Sequence, residues 1–436
     1  MKYLGIDIGT TSISFVVMDE ARCIFYTQSL SNDSTISGLT YERLQHTRRI
    51  ETLVISAVSP ILEAYPDIGA IGVTGQMHGI VYLSQFGEPV SPLYTWQDGR
   101  GDLFCTETET WAEHLQSITG YQTATGYGLV THYYNQQHNL VPEDAAVFCT
   151  IQDYIAMRLA ERTVPVVDST NAHSLGLFNA IKREFDYSAI KAAGISTELL
   201  PEIAVSPLLG VRKDGIYVYC AIGDNQASFL GATDGSEDVL LANVGTGSQV
   251  SIYSKTFVQG QVLEARPYVD DGWLLVGSQL CGGRSYALLE NFFRDIGSMV
   301  SGKTEPAYAA MTRILEEHER PSNCPQFYTA FQGTRQVPSL RGSITGLSTD
   351  NFTPLHFLYG MMEGMANEMA QVYEEYLQAG GRSFTMMIGS GNGLRKNPTL
   401  QKILSQRFSC SMQMSDKAEE AAYGACLYAQ RHRQDQ

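Results

Sequence analysis

The 436 residues exceed the ~250–300 at which a single hydrophobic core stops growing, so two domains are expected. With 44% hydrophobic and 17% charged residues, the composition is that of a folded protein with a sizeable core and excludes a disordered chain. A formal net charge of −16 argues against nonspecific binding to nucleic acid or an anionic membrane. It leaves room for a phosphorylated ligand held by backbone N–H groups and a metal ion.

Leu4 and Ile6 alternate with small or polar residues, Gly9-Thr10-Thr11-Ser12 interrupts, and Ile13, Phe15 and Val17 resume: strand, turn, strand. The opening residues 1–7 place Asp7 where a signal peptide needs an apolar run. No stretch approaches the ~18 apolar residues of a membrane helix, and a cytoplasmic location is expected. Residues 41–64 read as helix ended by Pro66, and residues 70–74 as a short buried strand. Helix-like and strand-like segments then alternate to about residue 222, which indicates α/β layering. Near residue 240 the opening pattern returns, with strand 239–244, turn Gly245-Thr246-Gly247-Ser248 and strand 250–253. Such a repeat is the expected trace of a duplicated domain, giving domains 1–230 and 231–436. Residues 358–377 form a long helix whose Met362, Met365, Met369, Val372 and Tyr376 make a core-facing stripe. Residues 416–431 form a second, alanine-rich helix. The eight cysteines show no metal-ligand spacing and read as buried free thiols in a reducing compartment.

Six segments hold candidate chemistry. A Gly-Thr turn lets backbone N–H groups and hydroxyls approach phosphate oxygens, and two such turns in matching contexts favour phosphate binding over plain hairpins. Asp7, just before the first turn, is costly to bury unless a cation is near. Asp224 in Gly223-Asp224-Asn225-Gln226 follows an apolar strand, placed to take a hydroxyl proton or to cap the next helix. Thr74-Gly75-Gln76-Met77-His78-Gly79 and Thr95-Trp96-Gln97-Asp98-Gly99-Arg100 gather amide, imidazole, carboxylate and guanidinium groups that suit a sugar's hydroxyls, and Trp96 offers a flat face. Gly389-Ser390-Gly391-Asn392-Gly393 follows a short strand but lacks the third glycine of a dinucleotide fingerprint, Leu394 standing there.

Gly297-Ser298-Met299-Val300-Ser301-Gly302-Lys303-Thr304 matches the P-loop pattern letter for letter. A P-loop needs a strand before it and a helix beginning at its Lys-Thr. Here the preceding residues have helical spacing and Pro306 follows, so the segment reads as a linker between helices.

Taken in order, these motifs resemble the FGGY carbohydrate kinases, a branch of the actin-like ATPase folds. The resemblance covers essentially the whole chain and includes Arg341-Gly342-Ser343-Ile344-Thr345-Gly346-Leu347. Within the family, residues 95–100, 124–128, 150–154 and 168–172 are most similar to the sedoheptulose-phosphorylating branch. The alternative is a kinase of xylulose or of another ketose or polyol; xylulose kinases resemble a Trp-Asn-Asp-Gly-Arg pattern where this chain has Gln97, and Gly245-Thr246-Gly247 departs from the Gly-Thr-Ser more usual in both branches. The resemblance implies an α/β protein of two actin-like ATPase (ribonuclease H-like) domains with a cleft between them. The first would hold the sugar and the first phosphate turn, the second the nucleotide. It implies transfer of a phosphoryl group from ATP, with Mg²⁺, to a primary hydroxyl of a ketose. Asp224 would be the base and, with Asp7, a metal ligand. Gly9, Thr10, Thr11, Gly245 and Thr246 would contact phosphates, and Gly391 and Asn392 the adenosine. Gln76, Met77, His78, Gln97, Asp98 and Asp224 would line the sugar pocket. The expected partners are a ketose and ATP, with no nucleic acid or membrane, for a monomer or homodimer. A non-catalytic actin-like sugar sensor is the alternative from another class, and Asp224 speaks against it, since a sensor needs no base.

Overall fold

The computed structural model describes residues 1–334, 337 and 339–434. In the first half β1 (Lys2–Ile8), β2 (Ser12–Asp19) and β3 (Ile24–Ser31) form an antiparallel meander through the Gly-Thr turn. Helix α1 (Thr47–Ala64) carries the chain back so that β4 (Ile68–Gly75) lies parallel to β1. This helix starts later than its sequence pattern suggests, because Leu44–Gln45 pairs as a short strand instead. Among the helices that follow, α2 (Ile151–Leu159) and α3 (Ser169–Ser174) matter for the site; they precede β5 (Tyr217–Tyr219) and β6 (Ile222–Gly223), both parallel to β4. Helix α4 (Asp224–Ala232) follows directly.

The second half repeats this plan. β7 (Leu240–Val244), β8 (Ser248–Ser254) and β9 (Trp273–Gln279) are antiparallel through the second turn. After α5 (Gly283–Ser301), α6 (Tyr308–Glu317) and α7 (Pro354–Gln378), β10 (Met386–Ser390) lies parallel to β7. Helix α8 (Asn392–Arg395) and then β11 (Ser411–Met414), parallel to β10, complete the sheet. Apart from an added edge strand in each sheet (Leu208–Val211 and Glu264–Pro267), the named strands of both halves share the order third-second-first-fourth-fifth, so the repeat extends well beyond the two turns. Met362, Met365, Met369, Val372 and Tyr376 are all buried on α7, as their spacing requires.

The chain forms two compact units. One holds Met1–Gly235, Arg266–Asp271 and residues from Lys417 onward; the other holds Ser236–Ala265 and Gly272–Asp416. The sequence reading assigned residues 231–436 to one domain, whereas the last helix, α9 (Glu420–Gln434), packs into the first unit. Small residues on both sides cause this. A Cβ on Gly5 of β1 would lie 1.9 Å from Ala422 O, one on Gly72 of β4 2.0 Å from Ala425 O, and one on Gly424 1.9 Å from Ala227 O. Only bare backbone on the sheet admits the helix at this distance.

Helix α5 runs through the P-loop-like segment and ends on Gly302 in the left-handed conformation (φ 70°). Lys303 thus follows a helix C-terminus, whose dipole repels phosphate. All eight cysteines are free; Cys23 is exposed, Cys105 and Cys324 partly so, and the other five are buried. Among the described residues no helix is long and apolar enough to cross a membrane.

Two glycines separate close packing from mere helix content. Gly72→Ala places a methyl against backbone oxygen and should cost about 2–3 kcal/mol of stability. Gly297→Ala, inside α5 with nothing within 4 Å, should gain about 1 kcal/mol. Chemical denaturation checks both; equal effects would contradict the packing account.

Candidate active site

Parallel register places the site. Asp7 and Ile222 both lie opposite Thr74, and Ile8 and Gly223 both lie opposite Gly75. The next residues along each strand, Gly9, Gln76 and Asp224, therefore leave the sheet at one edge, where α/β sheets bind ligands. Asp224 does not cap its helix: Gly223 occupies the cap position and Asp224 is the first helical residue. Its carboxylate accepts a hydrogen bond from Asn225 Nδ2 at 2.8 Å and another from the Met77 backbone N–H. Burial pushes Asp224 up to about 6, while Asn225 and the nearby charge of Arg266 pull against it. Burial pushes Asp7 to about 7, helped by the negative charges of Asp224 and Glu419.

The first turn is braced by a ring of hydrogen bonds. Trp96 Nε1 donates to Thr10 Oγ1 (3.0 Å), which donates to Gln76 Oε1 (3.2 Å). Gln76 Nε2 donates to Gln45 Oε1 (2.8 Å), and Gln45 Nε2 donates to Thr10 O (2.8 Å). Asn32 Nδ2 holds Gly9 O (2.9 Å), and Thr11 is exposed at the tip. Thr10 and Gln76, read from sequence as a phosphate contact and a sugar contact, are thus bonded to each other.

His78 adopts a left-handed backbone (φ 71°), a strained state for a non-glycine residue and one that occurs at functional sites. Its Nδ1 lies 2.7 Å from Ser174 O. A carbonyl only accepts, so Nδ1 carries the proton and Nε2 is the acceptor of the neutral ring. The ring stacks on Tyr127 with centroids 4.7 Å apart. Met77 is buried beside Asn225, and Gln97 is exposed. Asp98 differs from its expected place among the sugar ligands. It is fully buried, and its oxygens receive Arg100 Nε (2.5 Å) and the backbone N–H groups of Arg43 (3.1 Å) and Arg100 (3.3 Å). Arg100 in turn lies over the Tyr94 ring at 4.3 Å. A buried carboxylate needs such a partner, and the one it finds is two residues away.

In the second unit Asn243 lies opposite Ser390, which brings Gly245, Thr246, Gly391 and Asn392 to one sheet edge. Gly282 N–H and Arg284 N–H donate to Thr246 O (both 3.0 Å), and Gly283 N–H donates to Gly245 O (2.9 Å). Gly391 (φ 86°) presses against β7, where a Cβ would lie 2.5 Å from Val244 O. Gly245, Thr246 and Asn392 are exposed.

Sequence reasoning missed Gln45, Asn32, Arg266 and Glu419. None carries a local signal; each reaches the site through tertiary structure. The indole N–H of Trp96 was legible only as part of its flat face. Among the described residues no group of three or more His, Cys, Asp or Glu forms a protein-only metal cage. Asp7 with Asp224 instead fits Mg²⁺, which takes one or two carboxylates and fills its shell with phosphate oxygens and water.

Residues 2–231 match the N-terminal domain and residues 240–432 the C-terminal domain of the FGGY family of carbohydrate kinases. The chain belongs to this family and is a carbohydrate kinase. It is 26% identical to the sedoheptulokinase of Mus musculus, over 97% of this chain and 96% of that protein. Its fold matches a xyloylose kinase from Brucella ovis with a TM-score of 0.84, at 18% identity, covering 100% of this chain and 91% of that one. It likewise matches Plasmodium falciparum glycerol kinase with ADP with a TM-score of 0.81, at 20% identity, covering 100% and 90%.

The raised Asp7 has a consequence for stability. Its folded pKa of about 7 exceeds the unfolded value of about 3.9, so the folded state binds the proton more tightly. Stability contributed by this group is therefore lost as pH rises from about 4 to 7. Without divalent cation, Asp7→Asn should melt above wild type at pH 8, the gap closing toward pH 4. Equal Tm values at pH 8 would contradict this.

Proposed function

We propose that the protein transfers the γ-phosphoryl group of ATP to the primary hydroxyl of a ketose, sedoheptulose, giving sedoheptulose 7-phosphate and ADP. The observation that carries the reading is the Asp224 carboxylate at the shared sheet edge, beside Asp7 and next to the His78 loop. A base with a pKa near 6 is largely ionised at neutral pH yet still basic enough to accept a proton as the hydroxyl attacks. Asp224 takes that proton, the sugar oxygen bonds to the γ-phosphorus, and the bond to ADP breaks. Such a reaction depends mainly on positioning and charge stabilisation.

Gln76, Met77, His78 and Gln97 would line the sugar, with His78 Nε2 accepting from a hydroxyl and Asp98 holding the Gln97 loop from behind. Gly9, Thr10, Thr11, Gly245 and Thr246 would contact the phosphates, and Gly391 and Asn392 the adenosine. Mg²⁺ held by Asp7 and Asp224 would offset the phosphate charge. ATP as donor is supported by the family and by the ADP of the Plasmodium relative. Sedoheptulose is supported by the full-length similarity to the mouse protein and by residues 95–100 and 168–172. The likeness in fold to the Brucella protein makes xylulose the second reading. A cytoplasmic enzyme, monomeric or homodimeric, is the setting this reading assumes.

A coupled ADP-release assay over a panel of ketoses tests the acceptor. The expected result is the highest kcat/KM with sedoheptulose; turnover of xylulose alone would replace it. Asp224→Asn should lower kcat by about 10²–10⁴-fold, and a variant of full activity would remove Asp224 as base. Activity should also fall as pH drops through about 6, where Asp224 gains its proton.

A further inference from the structure

Residues 150–154 and 168–172 marked the resemblance in the sequence, yet neither segment belongs to the site described above. They meet directly behind it. Thr150, Gln152, Asp153, Thr170, Asn171 and Ser174 are all buried, each at most 2% exposed. Six buried polar side chains are tolerated only if they are bonded, and the groups they bond are informative.

Asn171 Nδ2 donates to Ala221 O (3.0 Å), and Thr170 Oγ1 accepts from the Gly223 N–H (3.0 Å). Between them Thr74 Oγ1 donates to Ile222 O (2.8 Å). Side chains thus grip three consecutive residues immediately before Asp224. The need for this is physical. β6 is two residues long and, among the described residues, pairs with β4 alone, so no ladder among them secures its other side. Both side chains are themselves held. Thr170 Oγ1 donates to Asp168 Oδ1 (2.6 Å), while Asn171 donates to Asp153 Oδ1 (3.1 Å) and accepts from Gln152 Nε2 (2.9 Å). Thr150 Oγ1 donates to the other oxygen of Asp153 (2.5 Å).

The far end of the same helix holds the other side of the site. Ser174 Oγ accepts from the His78 N–H (3.1 Å) and donates to Asn171 O (2.7 Å), and Ser174 O fixes His78 Nδ1. We infer that α3 is a positioning element, in which Thr170 and Asn171 set the Asp224 carboxylate and Ser174 sets His78, so that one short helix aligns base and sugar contact together. The inference rests on the reading of Asp224 as the base.

Thr170→Val, Thr170→Ser and Ser174→Ala test it, with folding checked by Tm. Thr170→Val keeps the shape and drops the hydroxyl. It should lower kcat by about tenfold, the worth of one lost hydrogen bond to a buried group, with the ketose KM within about twofold. Thr170→Ser should restore kcat. Ser174→Ala should raise the ketose KM more than it lowers kcat. Hydrogen exchange at the Gly223 amide gives a readout that needs no sugar. It should quicken in Thr170→Val and return in Thr170→Ser. Unchanged exchange in folded Thr170→Val, or a serine variant no better than the valine one, overturns the inference. A wild type idle with every ketose would instead contradict the functional reading, while exchange still decides the role of α3.

Discussion

Two carboxylates held at one sheet edge are the constraint on which the rest of the structure depends. The register of β1, β4 and β6 leaves no freedom: once Asp7 and Ile222 lie opposite Thr74, Asp224 must emerge beside the first turn. Burial and like charge both oppose ionisation there, and Glu419, just before α9, adds to the opposition at Asp7. The fold accepts this cost at the position where phosphate charge and a cation would meet. The same arrangement separates the two groups. Asn225 and the charge of Arg266 hold Asp224 down, whereas the negative charges of Asp224 and Glu419 push Asp7 up.

Around this pair the polar groups are built into closed sets rather than left for ligands alone. Thr10 is bonded at once to Trp96 and Gln76, so the turn proposed for phosphate and the loops proposed for sugar share one hydroxyl. Behind them α3 ties the approach to Asp224 to the backbone of His78. His78, with its left-handed backbone, donates its N–H to Ser174 Oγ and stacks its ring on Tyr127.

Much of this was legible in the sequence, and what was not shares a cause. The Gly-Thr turns, the long methionine-striped helix and the misleading P-loop pattern were readable because each depends on neighbours within a few residues. Asp98 was assigned to the ligand side because its type suits a sugar; that its oxygens are spent on Arg100 and two backbone N–H groups is a matter of burial, which spacing does not reveal. The boundary near residue 230 agrees with the two family domains, but the return of α9 to the first unit was not readable, because Gly5 and Gly72 become a docking surface only when seen together with Ala422, Ala425 and Gly424. Gln45, Asn32 and Glu419 are ordinary polar residues until tertiary structure places them.

The most direct measurement is a ¹³C NMR titration of the aspartate carboxylates in the metal-free protein, assigned with Asp7→Asn and Asp224→Asn. As a coupled pair they titrate with macroscopic values. The account places these near 6 and near 7; replacing either aspartate leaves a single step, and removing Asp224 lowers that of Asp7 by taking away its negative charge. Two carboxylates titrating near 4, indifferent to each other's replacement, would contradict it.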